Sequence, residues 1–315
     1  MSSTIDIISH PDCGRHEMGQ AHPESPARLR AIDDALAESG LRLRQIEAPR
    51  ATREQLERAH SARHIDDLFA RAPRTGYVQL DADTTLNPHT IPAALRAAGA
   101  AVKAVDLVLG GSARSVFCNI RPPGHHAERE RAMGFCLFNN VAVGAAHALE
   151  MHALERIAII DFDVHHGNGT EDIFREEPRV LFCSSFQHPL YPGSGADTES
   201  DHILNLPLAA GTDGTGYRRA VEEQWLGRLD SFRPQLIFFS AGFDAHVADP
   251  LADLRLVESD YSWLTHEVMA IAARHGARGS VSLLEGGYNL GALGRGVVAH
   301  LRSLAGDVSE GGAAG

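Results

Sequence analysis

The chain has 315 residues, a length that a single α/β domain commonly reaches and that can bury a large core without disulfides or a structural metal. Its 41 acidic against 29 basic side chains give a net charge of −12, which argues against nucleic-acid binding because that requires a basic surface. Histidine is the compositional outlier, with 18 residues, and this side chain serves as a metal ligand and as an acid or base near neutral pH.

No apolar run approaches the roughly 18 residues that a membrane span needs, and the first residues lack the basic patch and apolar stretch of a secretory signal. The four cysteines are far apart in the sequence and form no CxxC pair. We therefore expect reduced thiols in a cytoplasmic protein that associates with neither a membrane nor nucleic acid.

Short β-branched or aromatic runs alternate with amphipathic stretches along the whole chain. The predicted strands are residues 5–8, 43–46, 116–119, 157–163, 180–184, 236–240 and 281–284. The predicted helices are residues 26–38, 91–109, 139–151, 214–229, 259–274 and 292–304. This pattern indicates one domain over residues 1–305 with a three-layer α/β fold, in which helices cover both faces of a central, mostly parallel sheet. The Gly/Ala-rich residues 306–315 are predicted to be a flexible tail.

The strongest chemical signal lies where the apolar run that begins at residue 157 turns polar. Strand alternation places Asp161, Asp163 and His165 on one face. Two carboxylates and an imidazole at the carboxyl end of a strand suit a divalent metal. The alternative, an Asp pair that caps the next helix, would leave two unpaired carboxylates that repel each other.

A second signal is the loop Arg121-Pro-Pro-Gly-His125-His126, which follows the strand predicted at 116–119. Its prolines and glycine make a stiff, non-helical loop that fixes two adjacent imidazoles. Two such histidines, next to a strand end that suits a divalent metal, fit an acid/base pair.

Two more motifs follow predicted strands. Asp249 precedes Pro250, which holds the aspartate extended, and Tyr288 follows Gly286-Gly287 after the strand at 281–284. Since ligands bind at the carboxyl ends of the strands of a parallel sheet, we expect all four motifs to meet there.

Taken together, RPPGHHA (121–127), GFC-x-FNN (134–140), DFDVHHGNGT (161–170), SAGFDAH (240–246) and EGGYN (285–289) resemble the histone deacetylase / acetylpolyamine amidohydrolase superfamily. They are most similar to its class II-like bacterial members, and the resemblance extends from residue 22 to residue 288. It implies the arginase/deacetylase fold and a deacetylase with one catalytic Zn²⁺.

The resemblance also implies roles for individual residues. The implied zinc ligands are Asp163, His165 and Asp249, which leave room for water and substrate. His126 matches the general base and His125 its electrostatic partner, while Asp161 and Asn168 match residues that contact these two histidines. Tyr288 matches the donor of a hydrogen bond to the oxyanion.

The resemblance further implies an acyl-lysine tunnel. Phe135 and Tyr191 match its two walls, and the Gly134 carbonyl matches an acceptor for the substrate amide. Asp83 matches an acid at the rim, although a solvated loop acid fits that position equally well. Relatives also bind K⁺ near the strand that carries the implied zinc ligands, and the candidate potassium ligands here are Asp161, His165 and Ser184.

The sequence leaves the substrate open between an acylated lysine of a peptide or protein and a small N-acyl amine such as an acetylpolyamine. Leu251, just past Asp249-Pro250, is apolar where polyamine-selective relatives can carry an acid, which favours acyl-lysine. Glu17, Glu24 or Asp253 remain alternative sources of that charge, and a homo-oligomer remains open.

Two other functions are disfavoured. A binuclear manganese ureohydrolase would need further Asp and His ligands where this chain has His125 and His126. A catalytically inactive acyl-lysine binding module would be expected to lack Tyr288, His126 or a zinc ligand, and all are present.

Overall fold

The computed structural model describes residues 3–306 of the chain. These residues form ten strands, β1 to β10, at Ile5–Ser9, Leu43–Glu47, Val78–Gln79, Thr85–Leu86, Ser115–Cys118, Ile157–Asp161, Val180–Gln187, Ile203–Leu208, Leu236–Ala241 and Ser280–Leu284. They also form ten α-helices, α1 to α10, at Ala27–Glu38, Arg53–Glu57, Ala62–Arg71, Thr90–Leu109, Asn140–Met151, Asn168–Phe174, Gly214–Val221, Gly227–Phe232, Glu258–Arg274 and Leu290–Ala305. Of the predicted tail, only Gly306 is described, and it ends α10 in a left-handed conformation.

Eight of the strands make one sheet in the order β2-β1-β5-β10-β9-β6-β7-β8, and each adjacent pair is parallel. The short strands β3 and β4 form a separate antiparallel hairpin. The predicted α/β fold with a central parallel sheet is therefore confirmed.

Helices cover both faces of the sheet. Helices α4 and α5 pack together on one face, while α1, α9 and α10 pack together on the other. Each residue of β5, β6, β7, β9 and β10 is buried, as expected for parallel strands between two helical layers. The edge strand β2 is instead partly exposed along its length.

The structure contains several elements that were not predicted, namely α2, α3, α6 and the hairpin of β3 and β4. Three further differences have a clear physical reason. Strand β8 was missed because Asn205 and Pro207 interrupt its apolar pattern, yet a proline is tolerated on this edge strand. Strand β6 ends at Asp161, two residues early, where the Asp161 carboxylate accepts the N–H of Asp163 (3.2 Å). The helix predicted at 214–229 is divided by a π-helical segment, Glu222–Leu226.

Two further features concern the whole described chain. Within residues 3–306, no helix combines the length and apolarity that crossing a bilayer requires. The four cysteines are all buried and unpaired within this range. Burial raises the pKa of the Cys13 thiol to about 11, so that thiol stays protonated.

Helix α4 approaches the segment after β2 closely enough to require a glycine. A Cβ on Gly99 would lie 2.1 Å from the carbonyl oxygen of Pro49 and 2.7 Å from the amide nitrogen of Ala51. Both neighbouring atoms belong to the backbone, so they cannot move aside as a flexible side chain would.

We expect Gly99→Ala to lower the free energy of unfolding by about 1–3 kcal/mol, because the new methyl group forces α4 away from the segment that follows β2. Urea denaturation measures this change. The matched control is Gly227→Ala, at an exposed helical glycine with no atom within 4 Å of the added Cβ; it should be neutral or slightly stabilising. Equal stability of both variants would contradict the packing argument.

Candidate active site

The four predicted motifs lie at the carboxyl ends of four neighbouring strands, β5, β10, β9 and β6. Because parallel strands all end at the same edge of the sheet, residues far apart in sequence meet there. A cavity of about 250 Å³ opens at this edge. Its lining residues are Asp83, Pro123, His125, His126, Gly134, Phe135, His165, Leu190, Tyr191, Leu251, Gly286 and Tyr288.

The two adjacent histidines lie side by side at the cavity floor, with ring centroids 4.0 Å apart. His125 Nδ1 is 2.9 Å from a carboxylate oxygen of Asp161. His126 Nδ1 is 2.8 Å from Oδ1 of Asn168. The Asn168 amide nitrogen donates to the Glu128 carboxylate (2.8 Å), so its oxygen must face His126. His126 therefore donates its Nδ1–H to Asn168, and its Nε2 is left as an acceptor.

Because their surroundings differ, the pKa values of the two imidazoles shift in opposite directions. Burial disfavours protonation of His125, but the charges of Asp161 and Asp163 outweigh it and hold the pKa of His125 well above its ordinary value. Burial also lowers the pKa of His126, and the neighbouring His125 and His165 rings lower it further. His126 is thus the neutral member of the pair, suited to accept a proton.

A group of potential metal ligands lies beside these histidines. The ligand atoms of Asp163, His165 and Asp244 lie within 4.8 Å of one another. His165 Nδ1 is 3.0 Å from Asp163 Oδ1 and 3.3 Å from Asp244 Oδ2. Within the described residues, that Asp244 oxygen is buried and accepts no hydrogen bond. Two carboxylates, one with an unpartnered oxygen, together with an imidazole fit a divalent cation.

The structure thus adds Asp244, which sequence analysis did not select, and places Asp249 differently. The Asp249 carboxylate accepts backbone N–H groups of Leu251 (3.1 Å), Tyr288 (2.7 Å) and Asn289 (3.2 Å). It therefore fixes the loop that carries Tyr288, and its assignment as a metal ligand stays a prediction.

Tyr288 lines the cavity with its ring beneath the Arg28 guanidinium, whose central carbon is 5.1 Å from the ring centroid. Burial and the charge of Asp244 raise the pKa of Tyr288 well above its ordinary value. The phenol therefore stays protonated and can donate a hydrogen bond.

The five predicted substrate-contacting residues all line the cavity: Gly134, Phe135, Tyr191, Leu251 and Asp83. Gly134 must be a glycine here, because it has a positive φ of 56° and a Cβ would lie 2.4 Å from the His126 ring. One lone pair of its carbonyl already accepts the Cys136 thiol (3.2 Å), which leaves the second for a ligand.

Asp161 and Ser184, two of the candidate potassium ligands, are direct register partners on β6 and β7. The Ser184 hydroxyl is 3.0 Å from His166 Nδ1, and Asp161 contacts His125. The third candidate, His165, turns its side chain to Asp163 instead. Binding of K⁺ at this position stays a prediction.

Comparison with known proteins agrees with this geometry. A model of the histone deacetylase domain matches residues 22–304. A histone deacetylase-like amidohydrolase of Pseudomonas aeruginosa is 39% identical over 277 residues, which cover 85% of this chain and 73% of the relative. A probable deacetylase of Archaeoglobus fulgidus is 36% identical over 294 residues, which cover 90% and 81%. The crystal structure of the HDA15 HD domain matches with a TM-score of 0.91 at 32% identity, over 98% of this chain and 91% of that one.

Sequence analysis missed Glu285, whose carboxylate fixes the loop of residues 121–126, called the histidine loop below, by two hydrogen bonds. Its Oε2 accepts the N–H groups of Gly124 (2.6 Å) and His125 (3.1 Å). Burial raises the pKa of Glu285 to about 7. The glutamate stood within the EGGYN motif, but its partners lie about 160 residues earlier in the chain, so no local pattern connects them.

A fully buried ion-pair network lies behind the cavity. Glu24 pairs with Arg121, which begins the histidine loop, and with Arg28 (3.2 Å). Arg28 also donates to the backbone carbonyls of Glu285 and Gly287. Burial alone would raise the pKa of Glu24, but Arg121 and Arg28 lower it to about 2. This carboxylate therefore joins both loops that carry the predicted catalytic residues.

We expect Glu24→Gln to destabilise the protein by about 3–5 kcal/mol at pH 7, because it leaves two guanidinium groups buried with no carboxylate. Since the pKa of Glu24 is lowered in the folded protein, the carboxylate stabilises it fully above the unfolded value near 4.5 and progressively less as the pH falls toward 2. Denaturant titrations over this pH range should show the difference from the native protein shrinking as the pH falls.

The control is Glu17→Gln, at an exposed glutamate, which should change stability little at any pH. A Glu24→Gln protein as stable as the native one at pH 7 would refute the role of the network.

Proposed function

The chain belongs to the histone deacetylase family, and from that membership we propose a zinc-dependent amidohydrolase that removes acyl groups from acyl-lysine side chains or related N-acyl amines. The observation that carries this proposal is the pairing of His126 with a neutral amide and of His125 with a carboxylate, directly beside a cluster of metal-type ligands. A base, a second imidazole with a raised pKa and a cation site are the parts that amide hydrolysis requires.

Zinc fits the residues at the cavity floor. The candidate ligands are Asp163 and His165, with Asp249 from the family resemblance and Asp244 from its contacts. A bound zinc ion would supply polarisation of the amide carbonyl and a lowered pKa for water.

The protein's own groups supply the proton transfers. His126 Nε2 accepts a proton from the attacking water and passes it to the departing amine nitrogen, while Asn168 holds its ring in the required tautomer. His125, held by Asp161, adds positive charge beside the base and keeps its pKa low. The Tyr288 hydroxyl donates to the oxyanion that forms on the substrate carbonyl.

The cavity and its mouth favour an acylated lysine of a peptide or protein. Among the described residues, eight large hydrophobic side chains are exposed, and two of these, Tyr191 and Leu251, line the cavity. Two more are close to site residues in the sequence: Val247 lies two residues before Asp249, and Leu290 two residues after Tyr288. One backbone hydrogen bond joins the segments of Val247 and Val257, and an Asn289 side chain joins those of Val247 and Leu290. Such a concentration is typical of a surface that contacts another chain.

Asp83, the acid at the cavity rim, is a weak partner for the distal ammonium group of a polyamine. The Asp83 carboxylate accepts the Thr84 hydroxyl (3.0 Å), and burial followed by the nearby Asp81 charge raises its pKa. A distal ammonium group would also meet the apolar side chain of Leu251, which lines the same cavity.

The test of this proposal is turnover of the zinc-loaded protein on an acetyl-lysine peptide and on N-acetylputrescine, side by side. We expect kcat/KM at least about tenfold higher for the peptide, which corresponds to about 1.4 kcal/mol of transition-state preference. The reverse preference would make the protein a polyamine deacetylase. Chelation should abolish both activities and added zinc should restore them; activity that survives chelation would refute the metal dependence.

We expect Tyr288→Phe to lower kcat by about 10²–10³-fold while zinc content and unfolding temperature stay unchanged, because only the oxyanion donor is removed. Steady-state kinetics with metal analysis measures both quantities. Tyr77→Phe, at an exposed tyrosine outside the cavity, is the matched control. Full activity of the Tyr288→Phe protein would remove the tyrosine from the mechanism.

A further inference from the structure

A second group of metal-type ligands lies far from the cavity, on the paired helices α4 and α5. It consists of Asp106 in the last turn of α4, His147 in α5 and His152 immediately after α5. The Nε2 atoms of both histidines are 2.9 Å from the same oxygen, Asp106 Oδ1.

The distances suit a transition-metal ion. The three ligand atoms lie within 4.8 Å of one another. An ion with bonds of about 2.0 Å in tetrahedral geometry holds adjacent ligand atoms about 3.3 Å apart. The two observed separations need to open by only a few tenths of an ångström to admit it.

The surroundings leave space for further ligands. The His147 side chain is 8% exposed, His152 28% and Asp106 48%, so the group opens toward solvent on one side. Both helices are held rigidly, because α4 and α5 pack on each other over the sheet. Water can therefore complete the coordination of an ion that binds here.

Arg58, which contacts His147, opposes the binding of a metal. Its Nη1 donates to His147 Nδ1 (3.0 Å), while its other nitrogens bind Glu150 (2.7 Å) and Glu54 (3.0 Å). A histidine that binds a metal through Nε2 carries its proton on Nδ1 and normally donates it to an acceptor. Arginine has no acceptor atom, so Arg58 favours the other tautomer of His147.

We propose that Asp106, His147 and His152 form a second metal site, for a late first-row divalent ion such as Zn²⁺, Ni²⁺ or Cu²⁺, and that Arg58 limits its affinity. Imidazole nitrogen with one carboxylate favours these ions over Mg²⁺ and Ca²⁺, which prefer oxygen ligands alone. Helices α4 and α5 precede β5 and β6, so their C-terminal ends lie at the amino edge of the sheet, opposite the cavity. The site is therefore separate from the proposed catalytic metal.

The test is titration of the zinc-loaded protein with further Zn²⁺, followed by calorimetry and by the shift in unfolding temperature. We expect one additional equivalent to bind with a dissociation constant in the micromolar range and to raise the unfolding temperature. His152→Ala and Asp106→Asn should each weaken this second equivalent at least tenfold. His266→Ala, which removes an exposed histidine from α9, should leave it unchanged.

Arg58→Gln gives the sharpest result, because the glutamine amide oxygen can accept the Nδ1–H of His147. We expect this variant to bind the second Zn²⁺ at least threefold more tightly than the native chain. Weaker binding in Arg58→Gln, or an unchanged second equivalent in His152→Ala, would overturn the proposal. Because the comparison is between chains that share the cavity residues, its outcome is independent of whether the protein deacetylates anything.

Discussion

The buried ion pair between Glu24 and Arg121 is the interaction on which the geometry of the active site depends. It joins the N-terminal segment to the first residue of the histidine loop, and Arg28 extends it to the loop that carries Tyr288. Loss of either guanidinium would leave the buried Glu24 carboxylate with one cationic partner instead of two, which is costly in the interior of a protein. The two loops are thus held at a fixed distance, as the proposed base and the proposed oxyanion donor require in order to act on different atoms of one amide group.

The two adjacent histidines, His125 and His126, differ in the side chain that binds their Nδ1 atoms. Both rings are buried and each uses Nδ1 for one hydrogen bond, to Asp161 for His125 and to Asn168 for His126. The carboxylate partner stabilises the positive charge on His125, and the amide partner orients His126 without stabilising a charge on it. An amide nitrogen in place of one carboxylate oxygen, in the partner side chain, therefore favours His126 over His125 as the base of the proposed mechanism.

The sequence was most informative where function and topology coincide. The motif residues could be predicted to meet because each follows an apolar strand, and β5, β10, β9 and β6 are neighbours in the sheet. Strand β8 could not be predicted, because its pairing with β7 overrides a proline and an asparagine. The contacts of Glu24 with Arg121, of Glu285 with Gly124 and of Asp244 with Val164 also lay beyond the sequence, since these partners are 97, 161 and 80 residues apart.

The position of β10 has a consequence for how the protein is made. This strand, the last among residues 3–306, lies between β5 and β9, and it pairs with β5 across about 165 residues. The sheet cannot close around its central strands until residues 280–284 have emerged from the ribosome, however long the earlier helices and strands have been available. The cavity therefore forms only after β10 has been made, and a chain that stops short of β10 lacks the middle of its sheet as well as Tyr288.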